Sequence, residues 1–334
     1  MRLTAILTTA FLLLVVTVSS ADETEELDVG RNYTRLFFDN DISPIWNNMT
    51  DQMQSALKTE SALQDFRKQV QDQIGSEKTL VDERVEEVQG HRVYIRRSLF
   101  AKLGRPVVIS WTFDDKDRIA GFFIRPEQEP AESPYLGYMT QAELKLPFYG
   151  EWYVVWGGRD IEDNYHVVAS DQRFAYDILI VKDDSSHTGD GSLNEQYFCW
   201  GEPVLAPGDG TIVAVVAGLP DNPPGVMDAD NPPGNHVWLD MGNAEFASLA
   251  HLQRGSVAVS EGDVVEVGDV IGRCGNSGNT TEPHIHFHIQ DQPGFGMGAG
   301  KPAFFRNYLS NGAGIMRGEP ARGELVQNAP NADN

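Results

Sequence analysis

Hydrophobic and polar positions repeat with two different periods along this chain, and the change of period divides it. In "SPIWNNMTDQMQSAL" Trp46, Met49, Met53 and Leu57 fall on one helical face, with Ser43 as the expected N-cap and Pro44 in the first turn. In "SALQDFRKQVQDQIG" the stripe is Leu63, Phe66, Val70 and Ile74, and Gly75 supplies the stop. Beyond this the pattern turns strand-like, with runs at 81–88, 92–100, 106–113 and 118–124 and a polar turn, "FDDKDRI", between the last two. Helices followed by strands predict an α+β domain over residues 30–126, with the helices on one face of an antiparallel sheet.

"PEQEPAESP" carries three prolines and three glutamates and reads as a linker, placed at 127–139. Short Gly-, Pro- and Val-rich strands with frequent turns then predict an all-β domain over 140–322. "DNPPG" occurs at 221–225 and again at 230–234, which predicts a stiff, irregular loop able to wall a cleft. The acidic stretch 22–29 and the tail 323–334 are expected to be disordered. The N-terminus has Arg2, an apolar run from Ala5 to Val18, and then Ser19, Ser20 and Ala21. This predicts a secretory signal over 1–21 and an exported protein, periplasmic or secreted, with an uncleaved membrane anchor as the alternative. No stable membrane insertion is expected.

The formal net charge of −23 disfavours a nucleic-acid partner. Cys199 and Cys274 can make at most one bridge, which the sequence leaves open, and they are too few for a cysteine zinc knot. Histidine is more informative. Seven of the eight lie in the second domain, and His284, His286 and His288 alternate with Ile285, Phe287 and Ile289. That alternation predicts a strand with all three imidazoles on one side. The side is either a solvated polar face or part of a metal site. His166 and Asp177 lie in strand-like surroundings that a hairpin or a closely folded loop can bring together, and His251 follows in "EFASLAHL".

"GEPVLAPGDGTIVAV", "AHL" and "GDVVEVGDVIGRCGNSGNTTEPHIHF" resemble the lysostaphin/LytM-type zinc metallopeptidases of the duplicated-hybrid-motif β fold, over roughly residues 145–320. The resemblance implies one zinc ion per chain, bound by His166, Asp177 and His286, with His251 and His284 as the catalytic pair. It also implies peptide cross-links of peptidoglycan as the substrate. The commoner family spacing would put a histidine where this chain has Arg173, so His166 is assigned through a longer interval. His288 is left either as a polar residue continuing its face or as a group that orients a ligand. His236 is assigned to structure or groove, and His187 to an exposed turn. The first domain resembles cystatin- or NTF2-like small domains in layout, and regulation of the peptidase by it is a further expectation. The competing reading is a catalytically inactive relative that binds the cell wall or activates another wall hydrolase.

Overall fold

The computed structural model describes residues 22–88 and 91–330, so the expected signal segment lies outside the described residues. The chain divides between Glu127 and Gln128 into two compact units. The first contains helices α1 (Asp22–Phe38), α2 (Ser43–Asn47), α3 (Asp51–Leu57) and α4 (Glu60–Ile74). They precede strands β1 (Glu77–Val88), β2 (His91–Phe100), β3 (Pro106–Phe113) and β4 (Ile119–Pro126), which pair antiparallel in that order. The α+β expectation therefore holds for this unit.

Three local expectations fail here. The acidic leader is not disordered: it opens α1, whose Thr34 accepts a hydrogen bond from the buried Trp111 indole at 3.0 Å. Gly30 in the same helix sits against Tyr94, whose ring would lie 2.0 Å from an added Cβ, so the helix approaches the sheet closely. The helix expected from Ser43 to Leu57 is two helices. The backbone between them pairs with β4, through Thr50 N–H to Ile119 C=O and Ile119 N–H to Asn48 C=O. Ser43 is not the cap either, since Ile42 occupies that position and the Ser43 hydroxyl donates to Glu60 instead. Gly75 does end α4, at φ 79°.

The second unit is all-β apart from two short 3-10 turns. Its strands are β5 (Trp152–Trp156), β6 (Tyr176–Leu179), β7 (Pro203–Leu205), β8 (Gly210–Val216), β9 (Asn235–Asp240) and β10 (Phe246–Leu252). There follow β11 (Val264–Val265), β12 (Val270–Arg273), β13 (Ile285–Gln290), β14 (Gly300–Lys301), β15 (Phe305–Ser310), β16 (Ala313–Gly318) and β17 (Leu325–Asn328). The main sheet runs β11-β8-β9-β10-β13-β6-β5-β17-β15-β16, with β14 beside β13 and β7 paired separately to β12. The tail expected to be disordered after Arg322 instead supplies β17, which closes between β5 and β15 and buries Val326 fully. Among the described residues no helix is long and apolar enough to cross a membrane.

β13 lies near the middle of this sheet between β10 and β6, and every residue from Ile285 to Gln290 is buried. Ile285, Phe287 and Ile289 enter the hydrophobic core. The opposite, polar side is covered as well, so the reading of a solvated histidine face is overturned. Cys199 and Cys274 are both buried and unbridged, and the Cys199 thiol donates to the Pro283 carbonyl.

Candidate metal centre

The sheet register supplies most of this site. On adjacent strands His286 is paired with Asp177 on one side and with Ala250 on the other. A one-residue slip would turn His286 into the core, so the alternation of β13 fixes which imidazole meets Asp177. His286 Nδ1 lies 2.9 Å from Asp177 Oδ1, and His284 Nε2 lies 3.4 Å from the same oxygen.

His166 arrives differently. It belongs to a 3-10 turn, Tyr165–Val168, capped by Asn164. The fully buried Asn164 amide donates to Gly158 and Ala175 carbonyls, so its oxygen faces the His166 ring. His166 Nδ1–H donates to that oxygen at 2.9 Å, leaving Nε2 bare and 3.5 Å from Asp177 Oδ2. A folded loop, not a hairpin of strands, thus joins the two residues. Arg173 turns away and donates to the carbonyls of Ala131 and Arg159.

One donor atom from each of His166, Asp177 and His286 lies within 4.8 Å of the others, and all three residues are buried. Zinc bonds of about 2.0–2.1 Å to nitrogen and oxygen, at tetrahedral angles, set neighbouring donors about 3.3 Å apart. Two imidazoles and a carboxylate at 2.9 and 3.5 Å therefore suit that ion.

His251 lies one residue before the end of β10, within a break in its register with β9, and holds a left-handed φ of 61°. Such a backbone in a buried residue is strained and aims its side chain out of the strand's alternation. Its backbone N–H donates to Pro233 C=O and its Nδ1–H to Ser277 C=O at 2.8 Å, so Nε2 is the free nitrogen. Its ring centre lies 4.7 Å from that of His284 and 5.8 Å from that of His286. His284 donates through Nδ1 to Glu282 C=O.

A cavity of about 250 Å³ opens over these groups, lined by Tyr165, His166, Gln172, Pro233, His251 and Phe295 among others. The second "DNPPG" segment forms part of its wall, as the repeat suggested. This wall is tied to the glycine-rich loop before β13 through Asn279 N–H to Pro232 C=O and Asp228 N–H to Gly278 C=O. Gly234, at φ 61°, has the Ser277 carbonyl oxygen 2.2 Å from where a Cβ would stand.

Burial holds His166 neutral, with its pKa drawn down to about 3 against the pull of Asp177. Burial likewise pushes His251 and His288 well below the usual histidine range, helped by neighbouring imidazoles. Burial would lower His284 as well, but Asp177 and the Glu282 carbonyl raise it to about 9. Asp177, which burial would raise, is held well below the usual carboxylate range chiefly by His166 and His284. His166, His251 and His288 are protonated in the unfolded chain below about pH 6.5 and stay neutral when folded, so folding loses stability as pH falls from there. Each contributes a slope of roughly 1.4 kcal/mol per pH unit. Urea unfolding of chelator-treated protein between pH 6.5 and 4 should show this decline; a flat profile would mean that the rings take up protons in place.

Sequence reasoning missed Asn164, Thr280 and Gln290. Asn164 stands two positions before His166, Thr280 Oγ1 donates to the Glu282 carbonyl that holds His284, and Gln290 continues the polar face of β13. Only for Gln290 did the alternation offer a signal. His236 donates to Gly234 C=O and packs on Phe295. His187 lies in a loop and is half-buried against Tyr197.

Residues 197–295 match the profile of peptidase family M23. The match takes in His251, His284 and His286 and ends short of His166 and Asp177 on the N-terminal side. The peptidoglycan DD-endopeptidase ShyA of Vibrio cholerae is 34% identical over 90 residues, 25% of this chain. The matched stretch spans 20% of the length of that curated relative. Among solved structures, the catalytic domain of the antimicrobial peptidase lysostaphin from Staphylococcus simulans is 20% identical, with a TM-score of 0.28, over 45% of this chain and 86% of its own. A zinc-containing peptidase from Vibrio cholerae is 16% identical, with a TM-score of 0.31, over 65% of this chain and 59% of its own.

Proposed function

We propose that the protein is an exported zinc metalloendopeptidase that hydrolyses peptide cross-links of peptidoglycan. The observation that carries this reading is the convergence of His166 Nε2, Asp177 and His286 Nδ1 beside a cavity into which His251 projects. His166, Asp177 and His286 would hold the ion. When bound, zinc supplies Lewis acidity, which polarises a carbonyl and lowers the pKa of water.

The protein's own groups supply the rest. His251 presents a bare Nε2, fixed by the Ser277 carbonyl behind it, and accepts a proton there from the attacking water. His284, tied back through Nδ1, holds Nε2 beside Asp177 with its ring 4.7 Å from that of His251, and donates a proton to the leaving amine. The proline wall and Phe295 line the space beside these groups. Kinship with a peptidoglycan DD-endopeptidase supports the cell wall as the source of the peptide.

The test is zinc content of the purified protein together with release of soluble muropeptides from purified sacculi. One zinc per chain with new peptide ends, read by mass spectrometry, is the expected result. Absence of both after zinc is supplied would leave the inactive wall-binding reading.

A further inference from the structure

We propose that His288 and Gln290 act as positioning residues that lock His286 in the tautomer leaving Nδ1 free for the metal. The inference rests on the zinc-site reading above and extends it to two residues that touch neither metal nor substrate.

Gln290 fixes the proton positions along β13 from its end inward. Its amide nitrogen donates to the backbone carbonyls of Gln292 and Gly294, the latter at 2.7 Å. Carbonyl oxygens only accept, so the amide cannot be flipped, and its own oxygen must face His288 Nε2 at 3.1 Å. That oxygen also only accepts, which puts a proton on His288 Nε2. The His288 ring is fully buried between Trp238 and Phe295, with ring centres 5.4 and 5.2 Å away. Among the described residues its two nitrogens meet only His286 and Gln290, so a second proton would create an unpaired buried charge. His288 Nδ1 is therefore bare and accepts from His286 Nε2 at 3.0 Å. The proton of His286 is thereby held on Nε2.

The consequence lies on the other side of that ring. His286 Nδ1 is bare and faces a carboxylate oxygen of Asp177 at 2.9 Å, one acceptor against another. Left free, His286 would move its proton to Nδ1 and donate to Asp177, pairing two ligands with each other. The chain from Gln290 prevents that collapse and keeps both lone pairs available to a cation.

Two measurements test this. Long-range proton–nitrogen NMR of the chelator-treated wild-type protein should find the His286 proton on Nε2 and the His288 proton on Nε2. A proton on Nδ1 of either ring would overturn the proposal, whether or not the protein proves to be a peptidase. Zinc affinity is then measured by competition with a fluorescent chelator, on variants whose folding is first checked by circular dichroism. Gln290→Met leaves His288 beside His286 but releases its proton, and should weaken zinc binding by about 10–100-fold. His288→Leu should do the same, and His288→Gln, which restores an acceptor, should recover most of the loss. Wild-type affinity in Gln290→Met, or equal loss in His288→Gln and His288→Leu, would overturn it. Failure of the wild-type protein itself to bind zinc would instead overturn the reading of the site.

Discussion

Replacing His286 with alanine should leave a folded protein without stoichiometric zinc and without muropeptide release. His286 faces Asp177 across the strand pair and is held from behind by His288 along its own strand. Its loss reduces the donor set from three to two, below what a catalytic zinc site keeps. Loss of an outer partner typically costs 10–100-fold in metal affinity, so loss of a ligand should exceed that. The core side of β13 is formed by Ile285, Phe287 and Ile289, which the substitution leaves in place. Metal analysis after gel filtration is the check. Zinc retained at one per chain would remove His286 from the ligand set.

The two histidines proposed for proton transfer should behave in the opposite way. His284→Ala and His251→Asn are expected to keep zinc and to lose turnover by about 10²–10⁴-fold, the usual worth of a positioned proton-transfer group. Asparagine is the choice at 251 because that position holds φ 61°, which asparagine tolerates better than most residues. Neither histidine belongs to the convergent set of His166, Asp177 and His286. Single-turnover kinetics on zinc-loaded protein separates the effect on chemistry from one on binding. Zinc loss in these two variants equal to that in His286→Ala would reject the division of roles.

What the sequence made legible depended on whether a residue's place follows from a period. β13 did: the alternation of histidine with Ile285, Phe287 and Ile289 gave the strand, its buried face and the common side of His284 and His286. Asp177 was found within an apolar run that proved to be β6. Positions set by turns were not legible. The 3-10 turn under His166 is defined by an asparagine cap, and His251 owes its direction to one left-handed residue at a register shift. Neither leaves a periodic trace. The helix break at Met49 and the strand formed by Leu325–Asn328 escaped for another reason. Each is decided by pairing with a segment far away in sequence, Ile119 in one case and Tyr308–Ser310 in the other. The polar face of β13 was open to two readings because alternation reports only that two faces differ. Phe295 and Trp238, which cover it, come from elsewhere in the chain.

The 3-10 turn that carries His166 also contributes Tyr165, Val168 and Ala169 to the cavity wall. Asp177 and His286 are held by a strand ladder in which one inserted residue would turn every following side chain to the other face, whereas the stretch from 169 to 175 lies outside that ladder and is bound to no register. Diversification is therefore channelled: lengthening this one segment reshapes the mouth of the cleft while the ladder keeps the remaining ligands fixed. The same edit also moves a ligand. Any change of length here must re-seat His166, so the interval between the first two proposed ligands is tied to the shape of the cleft it borders.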